Sequence, residues 1–286
     1  MQSEHPRGSL ARCVLFWDYD TQWGLDRSRS GRAAEGLGLR EFVNTDRILD
    51  LLARYQLPAC FAVVGAAALP GERPYHDPAQ IRRISAAGHE IASHSFQHEW
   101  LPGLDRSALE ATLRLSREAL EQCTGSAVET FVPPFNEPRD FPGRLSFSLS
   151  ERRQARGVRT NLPRLCDALR VAGYRRCRVA YQPLALQAMR RIGGERLFAP
   201  RRPISVRGVQ CLRLNAGCGF GPDARRSVAE CARRGGVAVL YGHPHSLDGG
   251  DTQSEAHLVE CLAALARWQK EGLVRTCLPR DLALAD

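Results

Sequence analysis

Two clusters of polar residues in this chain have the types and spacing needed for metal chemistry. Asp18 and Asp20 end the apolar run 13–17, and His94 and His98 follow a second short apolar stretch. Alternate residues of a strand project to one side about 7 Å apart, so the two carboxylates face the same way. Residues four apart on a helical turn are neighbours, which predicts that both histidines close on one ion. One carboxylate can then bind the ion while the other acts beside it.

The predicted ligand set is typical of a catalytic zinc site. Two imidazoles and one carboxylate provide three protein ligands, which leaves a coordination position for water. A third polar cluster, of His243 and His245, follows late in the chain and strengthens this interpretation. The sequence therefore predicts one divalent ion, with Zn²⁺ expected and Co²⁺, Ni²⁺, Fe²⁺ and Mn²⁺ as alternatives.

Composition narrows the class of protein. The chain has 286 residues, of which 43% are hydrophobic and 25% charged, as in ordinary globular proteins. It has no run of about 18 apolar residues and no apolar signal core in residues 1–11, so we expect a cytoplasmic protein without a membrane span. The ten cysteines include no C-x-x-C pair and predict reduced thiols. The net charge of +9 is not clustered with aromatic residues, so no nucleic-acid partner is expected.

The elements that must position these residues alternate between short apolar strands and amphipathic helices, which predicts a parallel α/β sheet or barrel. We expect one domain over residues 1–286, with a flexible N-terminus at 1–11 and an insertion loop at 139–160 beside the site. The predicted strands are 13–17, 59–64, 90–92, 129–133, 176–180, 209–214, 237–241 and 274–277.

Five segments give the chain a family resemblance: 16–20, 57–65, 87–98, 131–136 and 240–245. In these segments it is similar to polysaccharide deacetylases of the NodB-homology type, which resemble carbohydrate esterase family 4. That resemblance implies a distorted (β/α) barrel of about seven units with its site at the C-terminal ends of the strands.

The resemblance also implies a role for each matching residue. Asp20, His94 and His98 match the family's metal ligands, and Asp18 matches the catalytic base. His243 matches the general acid that protonates the leaving amine, with His245 as the alternative for that role. Substrate contacts are expected from Trp23 and Trp100, which lie near the ligand segments, and from Asn136 and His245.

Two positions depart from the family pattern. Tyr19 separates two acids that are commonly adjacent, and Val132 stands where an arginine that holds the base is expected. Asn136, Arg139 or another nearby arginine would have to replace it.

The expected function is removal of an N-acetyl or N-formyl group from an amino sugar or a related small carbohydrate-like molecule inside the cell. Arg201 and Arg202 would bind a phosphate or nucleotide if they line the mouth of the site. Two alternatives stay open. One is a metal-dependent glycosyltransferase that uses Asp18 and Asp20, and the other is a catalytically silent carbohydrate-binding barrel.

Overall fold

One curled, mainly parallel sheet organises the chain. The computed structural model describes residues 10–28, 36–139, 159–180, 202–214 and 216–284. Within them the strand order is β6-β7-β5-β4-β3-β2-β1-β8, with β9 also pairing with β1, and only the β6–β7 pair is antiparallel. The strands are β1 (Ala11–Tyr19), β2 (Cys60–Val63), β3 (Glu90–Ser93), β4 (Thr130–Phe131), β5 (Arg176–Val179), β6 (Ile204–Val206), β7 (Val209–Arg213), β8 (Val237–Gly242) and β9 (Val274–Thr276).

Helices connect these strands because parallel neighbours require crossover connections. Side-chain caps set where several of them begin: the Asp77 carboxylate accepts the backbone N–H of Gln80, and the Asp105 carboxylate accepts that of Ala108. The helices of the described residues are α1 (Thr21–Ser28), α2 (Leu37–Tyr55), α3 (Pro78–Ala86), α4 (Arg106–Thr124), α5 (Leu162–Val171), α6 (Pro222–Arg234) and α7 (Glu255–Lys270). The predicted distorted, NodB-like (β/α) barrel in a single domain is confirmed.

The two faces of the sheet bury separate apolar cores. The larger core lies between the sheet and the helices and includes Trp17, Phe61 and Phe131. The smaller core fills the inside of the curled sheet and includes Val14, Phe16, Ala92, Val132, Val239 and Tyr241. Because side chains alternate along a strand, every second residue of β1, β3 and β8 faces this interior.

The same alternation brings the polar residues together. Asp18 continues the inward-facing series after Phe16, His94 continues it after Ala92, and His243 continues it after Tyr241. All three therefore reach the inside of the barrel at the C-terminal ends of neighbouring parallel strands, where such barrels hold their chemistry.

The structure corrects two local expectations. His94 and His98 do not lie on a helical turn; the chain after β3 is irregular, with Ser95 and His98 at φ 61° and 58°. All eight predicted strands are present within about three residues of their bounds, but β6 was not predicted.

Parts of the domain prediction fall outside the described residues, including 1–9 of the N-terminus and 140–158 of the insertion loop. The division of the chain stays a prediction. Among the helices that the structure describes, none has the length and apolar character to cross a membrane.

Candidate metal and catalytic site

Three buried side chains converge on one point inside the barrel mouth. The ligand atoms of Asp20, His94 and His98 all lie within 4.8 Å of one another. The Oδ1 atom of Asp20 is 3.3 Å from Nε2 of His94 and 3.6 Å from Nε2 of His98. The three residues expose only 1–4% of their surfaces. This is the only group of its kind among the residues that the structure describes.

The protonation states of this group fit a bound cation. The Nδ1 atom of His94 donates to the carbonyl oxygen of Val132 over 2.7 Å, so Nε2 is the ring atom that faces Asp20. Burial lowers the pKa of His98 to about 4, so the His98 ring is neutral at pH 7. Burial opposes ionisation of Asp20, but His98 and His94 hold its pKa well below the usual value. Oδ1 of Asp20 has no hydrogen-bond partner in the described structure, and a divalent ion would satisfy it and both imidazoles.

The second carboxylate, Asp18, has a different environment. Arg178 of β5 donates from Nη1 to Oδ1 over 2.5 Å and from Nη2 to Oδ2 over 2.7 Å. Burial favours the neutral carboxyl, but the charge of Arg178 outweighs it and lowers the pKa of Asp18. Asp18 is therefore an ionised carboxylate held in one orientation beside the ligand group.

On the other side of Asp18 lies His243. Its Nε2 atom is 3.8 Å from Oδ2 of Asp18, and its Nδ1 atom is 3.0 Å from Oε1 of Gln253 and 3.2 Å from Sγ of Cys218. The same Gln253 oxygen accepts the backbone N–H of His243 over 3.0 Å. Burial opposes a charged ring, but Cys218 and the carboxylates of Asp20 and Asp18 raise the pKa of His243 well above the usual value. His243 can thus carry a proton on Nε2.

His245 faces a different partner. Its Nδ1 atom lies 3.5 Å from Oε2 of Glu41, a fully buried residue of α2. Glu41 in turn accepts the backbone N–H groups of Asp20 and Thr21 over 3.3 and 3.1 Å, and burial raises the pKa of its carboxyl. His245 therefore supports the segment that carries Asp20 through Glu41.

The residues predicted to contact substrate have different neighbours in the structure. The Trp23 ring lies edge-on to Tyr75, with ring centroids 5.1 Å apart, and Trp100 donates its indole N–H to Glu137 over 2.7 Å. Asn136 lies closer to the base, since its Oδ1 accepts from Arg178 over 2.9 Å and its Nδ2 donates to the Tyr241 hydroxyl over 3.1 Å.

The wall beside the ligand group is formed by Phe135, which sequence reasoning did not single out. Its ring centroid lies 4.7 Å from that of His98, and 38% of the residue is exposed. Its backbone φ of 60° turns it out of the apolar series around it. The backbone N–H of Asn136 donates to the carbonyl oxygen of Pro133 over 3.1 Å.

Four further residues of the site were missed by the sequence: Arg178, Gln253, Cys218 and Glu41. The available signal for Arg178 was its place inside the short strand Arg176–Val179, where a buried charge requires a partner. Gln253 and Cys218 come from loops whose approach to His243 depends on the folded barrel, and their sequence surroundings give no such signal. Of the predicted phosphate contacts, Arg201 lies outside the described residues, and Arg202 is exposed.

In comparisons with known proteins, part of this chain matches deacetylases that act on carbohydrates. Residues 42–140 match the family model for polysaccharide deacetylases. A chitooligosaccharide deacetylase of Rhizobium leguminosarum bv. trifolii is 36% identical over 86 residues, which is 30% of this chain and 37% of that protein. The chain thus spans well under half the length of this relative in the match. The resemblance found in the sequence motifs is confirmed.

Solved structures share the fold at low sequence identity. A proposed polysaccharide deacetylase from Mycobacterium smegmatis aligns with a TM-score of 0.54 and 20% identity, over 92% of this chain and 86% of that one. The carbohydrate esterase family 4 pseudoenzyme BA3943 of Bacillus anthracis aligns with a TM-score of 0.50 and 13% identity, over 95% of this chain and 65% of that one. These likenesses support the barrel architecture.

Proposed function

We propose that this chain, a NodB-like member of the polysaccharide deacetylase family, is a metal-dependent hydrolase that removes an N-acetyl group from an amino sugar. The observation that carries the proposal is the juxtaposition of two differently held carboxylates. Asp20 faces His94 and His98 within 4.8 Å, while Asp18 lies between Arg178 and His243. An amino-sugar substrate is supported by the name of the Rhizobium relative, a chitooligosaccharide deacetylase.

Oδ1 of Asp20 and the Nε2 atoms of His94 and His98 would hold the ion in this mechanism. A divalent ion bound there would act as a Lewis acid, lowering the pKa of water and polarising an amide carbonyl. Zinc suits the two-imidazole, one-carboxylate set, and Co²⁺, Ni²⁺, Fe²⁺ and Mn²⁺ are the alternatives. The hydrogen bond from Nδ1 of His94 to Val132 keeps that ring in the tautomer and orientation that binding needs.

Proton transfer in this mechanism belongs to Asp18 and His243. The ionised Asp18 accepts the proton of the attacking water, since its low pKa keeps it unprotonated at neutral pH. The protonated Nε2 of His243 donates to the departing amine nitrogen, which cannot leave as an anion. Gln253 holds the opposite side of the His243 ring and so aims Nε2 at the bond to be cut. His243, and not His245, fits the role of acid because His245 is directed at Glu41.

The two alternatives are weaker on the same geometry. A glycosyltransferase would use Asp18 and Asp20 together on one nucleotide-bound ion, yet both oxygens of Asp18 accept from Arg178. A silent binding barrel was suggested by the valine at position 132, but the guanidinium of Arg178 donates to both carboxylate oxygens of Asp18. The N-formyl alternative, a phosphorylated or nucleotide-linked substrate, and the cytoplasmic location stay predictions.

The test is release of acetate from N-acetylated amino sugars, with formate release from N-formyl analogues measured in parallel. Enzyme depleted of metal and then loaded with zinc should release acetate, and chelator-treated enzyme should not. No acetate from any of these substrates with zinc-loaded protein would remove the proposal.

Our first prediction separates the roles of the two carboxylates by one substitution at each. Asp18→Asn should bind zinc with wild-type stoichiometry while kcat falls by about 10²- to 10⁴-fold, because it loses only the base. Asp20→Asn should lose both zinc and turnover. Metal analysis beside the acetate assay measures both, and loss of zinc from Asp18→Asn would contradict the assignment.

A further inference from the structure

We propose that Arg178 is the positioning residue of Asp18, and that it supplies from β5 the guanidinium expected at position 132. The inference rests on the proposed function, since it assigns a role beside the proposed base. It concerns a contact between residues 160 positions apart in the chain.

The contact between Arg178 and Asp18 is two-pronged. Nη1 and Nη2 of the guanidinium meet Oδ1 and Oδ2 of the carboxylate at 2.5 and 2.7 Å, which fixes the plane of the carboxylate as well as its position. Both side chains are buried, with 0% and 4% of their surfaces exposed. Solvent therefore has almost no access to replace either partner of the ion pair, and the orientation of Asp18 depends on its contact with Arg178.

Further contacts hold the guanidinium itself. Nη2 of Arg178 also donates to Oδ1 of Asn136 over 2.9 Å, and Asn136 donates to the Tyr241 hydroxyl. The guanidinium carbon lies 4.4 Å from the centroid of the Tyr241 ring, a distance suited to cation–π attraction. Arg178 is thus clamped by β8 and by the segment after β4, and it transmits their positions to Asp18.

Val132 contacts His94 of the ligand group instead of Asp18. Its valine side chain lies in the apolar core inside the barrel with Phe16 and Ala62. Its carbonyl oxygen accepts the Nδ1 proton of His94, so the residue supports the ligand group through its backbone alone. With an apolar side chain there, a guanidinium from the neighbouring strand β5 is the charge that reaches Asp18.

A purely structural ion pair would predict a different outcome from a positioning role. Loss of a structural pair lowers stability and leaves the turnover of the folded enzyme unchanged. Loss of a positioning contact lowers kcat in protein that is folded and zinc-loaded, because a base displaced by about 1 Å can cost roughly 10²-fold. The two roles are therefore separated by kinetics on the folded fraction.

The experiment compares Arg178→Lys, Arg178→Val and the relocated double variant Val132→Arg/Arg178→Val, with chitooligosaccharides as the N-acetyl substrate. Lysine keeps the charge but not the two-pronged geometry, so kcat of Arg178→Lys should fall at least about tenfold, with zinc content and KM near wild type. The double variant should exceed Arg178→Val in kcat by about tenfold or more. Arg176→Lys, two residues earlier on the same face of β5 and bonded to Glu129, is the matched control.

Two results would overturn the inference. One is wild-type kcat in zinc-loaded Arg178→Lys, and the other is a folded, zinc-loaded double variant no faster than Arg178→Val. Failure of the proposed function is distinguished by the wild type, which would release no acetate. In that event a double-mutant cycle still measures the contact. The chemical denaturation midpoints of Asp18→Asn, Arg178→Lys and the double variant are compared with that of the wild type, and purely additive shifts would overturn the inference.

Discussion

At the scale of single residues, two aspartates only two positions apart acquire different chemistry from their surroundings. Oδ1 of Asp20 faces two imidazoles, whereas both oxygens of Asp18 accept from a guanidinium. The first environment attracts a cation, and the second keeps a proton acceptor ionised. Pairs of carboxylates with divergent environments are a common basis for divided roles in hydrolysis.

Phe135 provides a second prediction at this scale. Its exposed ring forms a wall against His98, where the apolar face of a sugar ring could pack on it. Phe135→Ala should raise KM for an N-acetyl oligosaccharide by about two- to tenfold, the equivalent of one aromatic contact, with kcat nearly unchanged.

The matched control for this prediction is Phe135→Tyr, which keeps the ring. Steady-state kinetics on substrates of increasing length measure the effect. An unchanged KM in Phe135→Ala would show that no sugar packs there.

At the scale of elements, α1 lies close to Asp20 and His98 because its residue Gly24 has no side chain. A Cβ atom at Gly24 would lie 2.5 Å from Cβ of Asp20 and 3.2 Å from Cδ2 of His98. Gly24→Ala therefore forces α1 or Asp20 to move, and we predict at least a tenfold loss of zinc affinity, in the range seen when contacts that orient ligands are removed.

Gly250→Ala is the control for this third prediction, because a Cβ there meets nothing within 4 Å. Zinc titration of metal-free protein by calorimetry compares the two variants with the wild type. Equal affinities in all three would mean that α1 does not constrain Asp20.

β2 and β3 are linked by a buried histidine, which leads to a fourth prediction. Nδ1 of His89 accepts the backbone N–H of Ala59 over 3.2 Å, and burial lowers the pKa of His89 to about 4. An unfolded chain holds this group near pKa 6.5. The neutral ring therefore stabilises the fold fully above about pH 6.5, and that contribution is lost as the pH falls towards 4, by up to about 1.4 kcal/mol per pH unit.

His89→Asn isolates this contribution, since the amide oxygen can accept the same N–H and does not titrate. Urea unfolding at pH 7 and pH 4.5 should show a smaller loss of unfolding free energy in the variant than in the wild type. Equal losses would exclude His89 as a source of the acid sensitivity.

The sequence predicted the strands and the convergence of the aspartates and histidines much better than the residues that support them. Asp18, Asp20 and the histidines follow apolar strands, so the alternation of side chains places them at one barrel mouth. The partner of Asp18 could not be predicted in this way, because Arg178 reaches it only when β5 curls towards β1. For the same reason the predicted helical turn at His94 was wrong, since irregular backbone, set by contacts outside the segment, aims both rings.

At the scale of the whole molecule, the candidate metal site joins parts of the barrel that are far apart in sequence. Asp20 follows β1, and His94 and His98 follow β3, so an ion at their meeting point would cross-link segments that unfolding separates. Binding to the folded state alone stabilises it by about 2.7 kcal/mol when free metal is 100 times Kd. For a domain of this size we predict an increase in Tm of roughly 5 °C with zinc.

Ten free cysteines make the control for this last prediction essential, because zinc can also bind thiols of the unfolded chain and oppose the increase. Thermal unfolding of metal-free protein, followed with and without zinc, should show the increase in the wild type and in Asp18→Asn, which keeps all three ligands. Asp20→Asn should show none, although it carries the same cysteines and the same neutral substitution two residues away. An equal increase in Asp20→Asn would mean that the ion binds elsewhere, and it would remove the metal centre on which the hydrolytic mechanism depends.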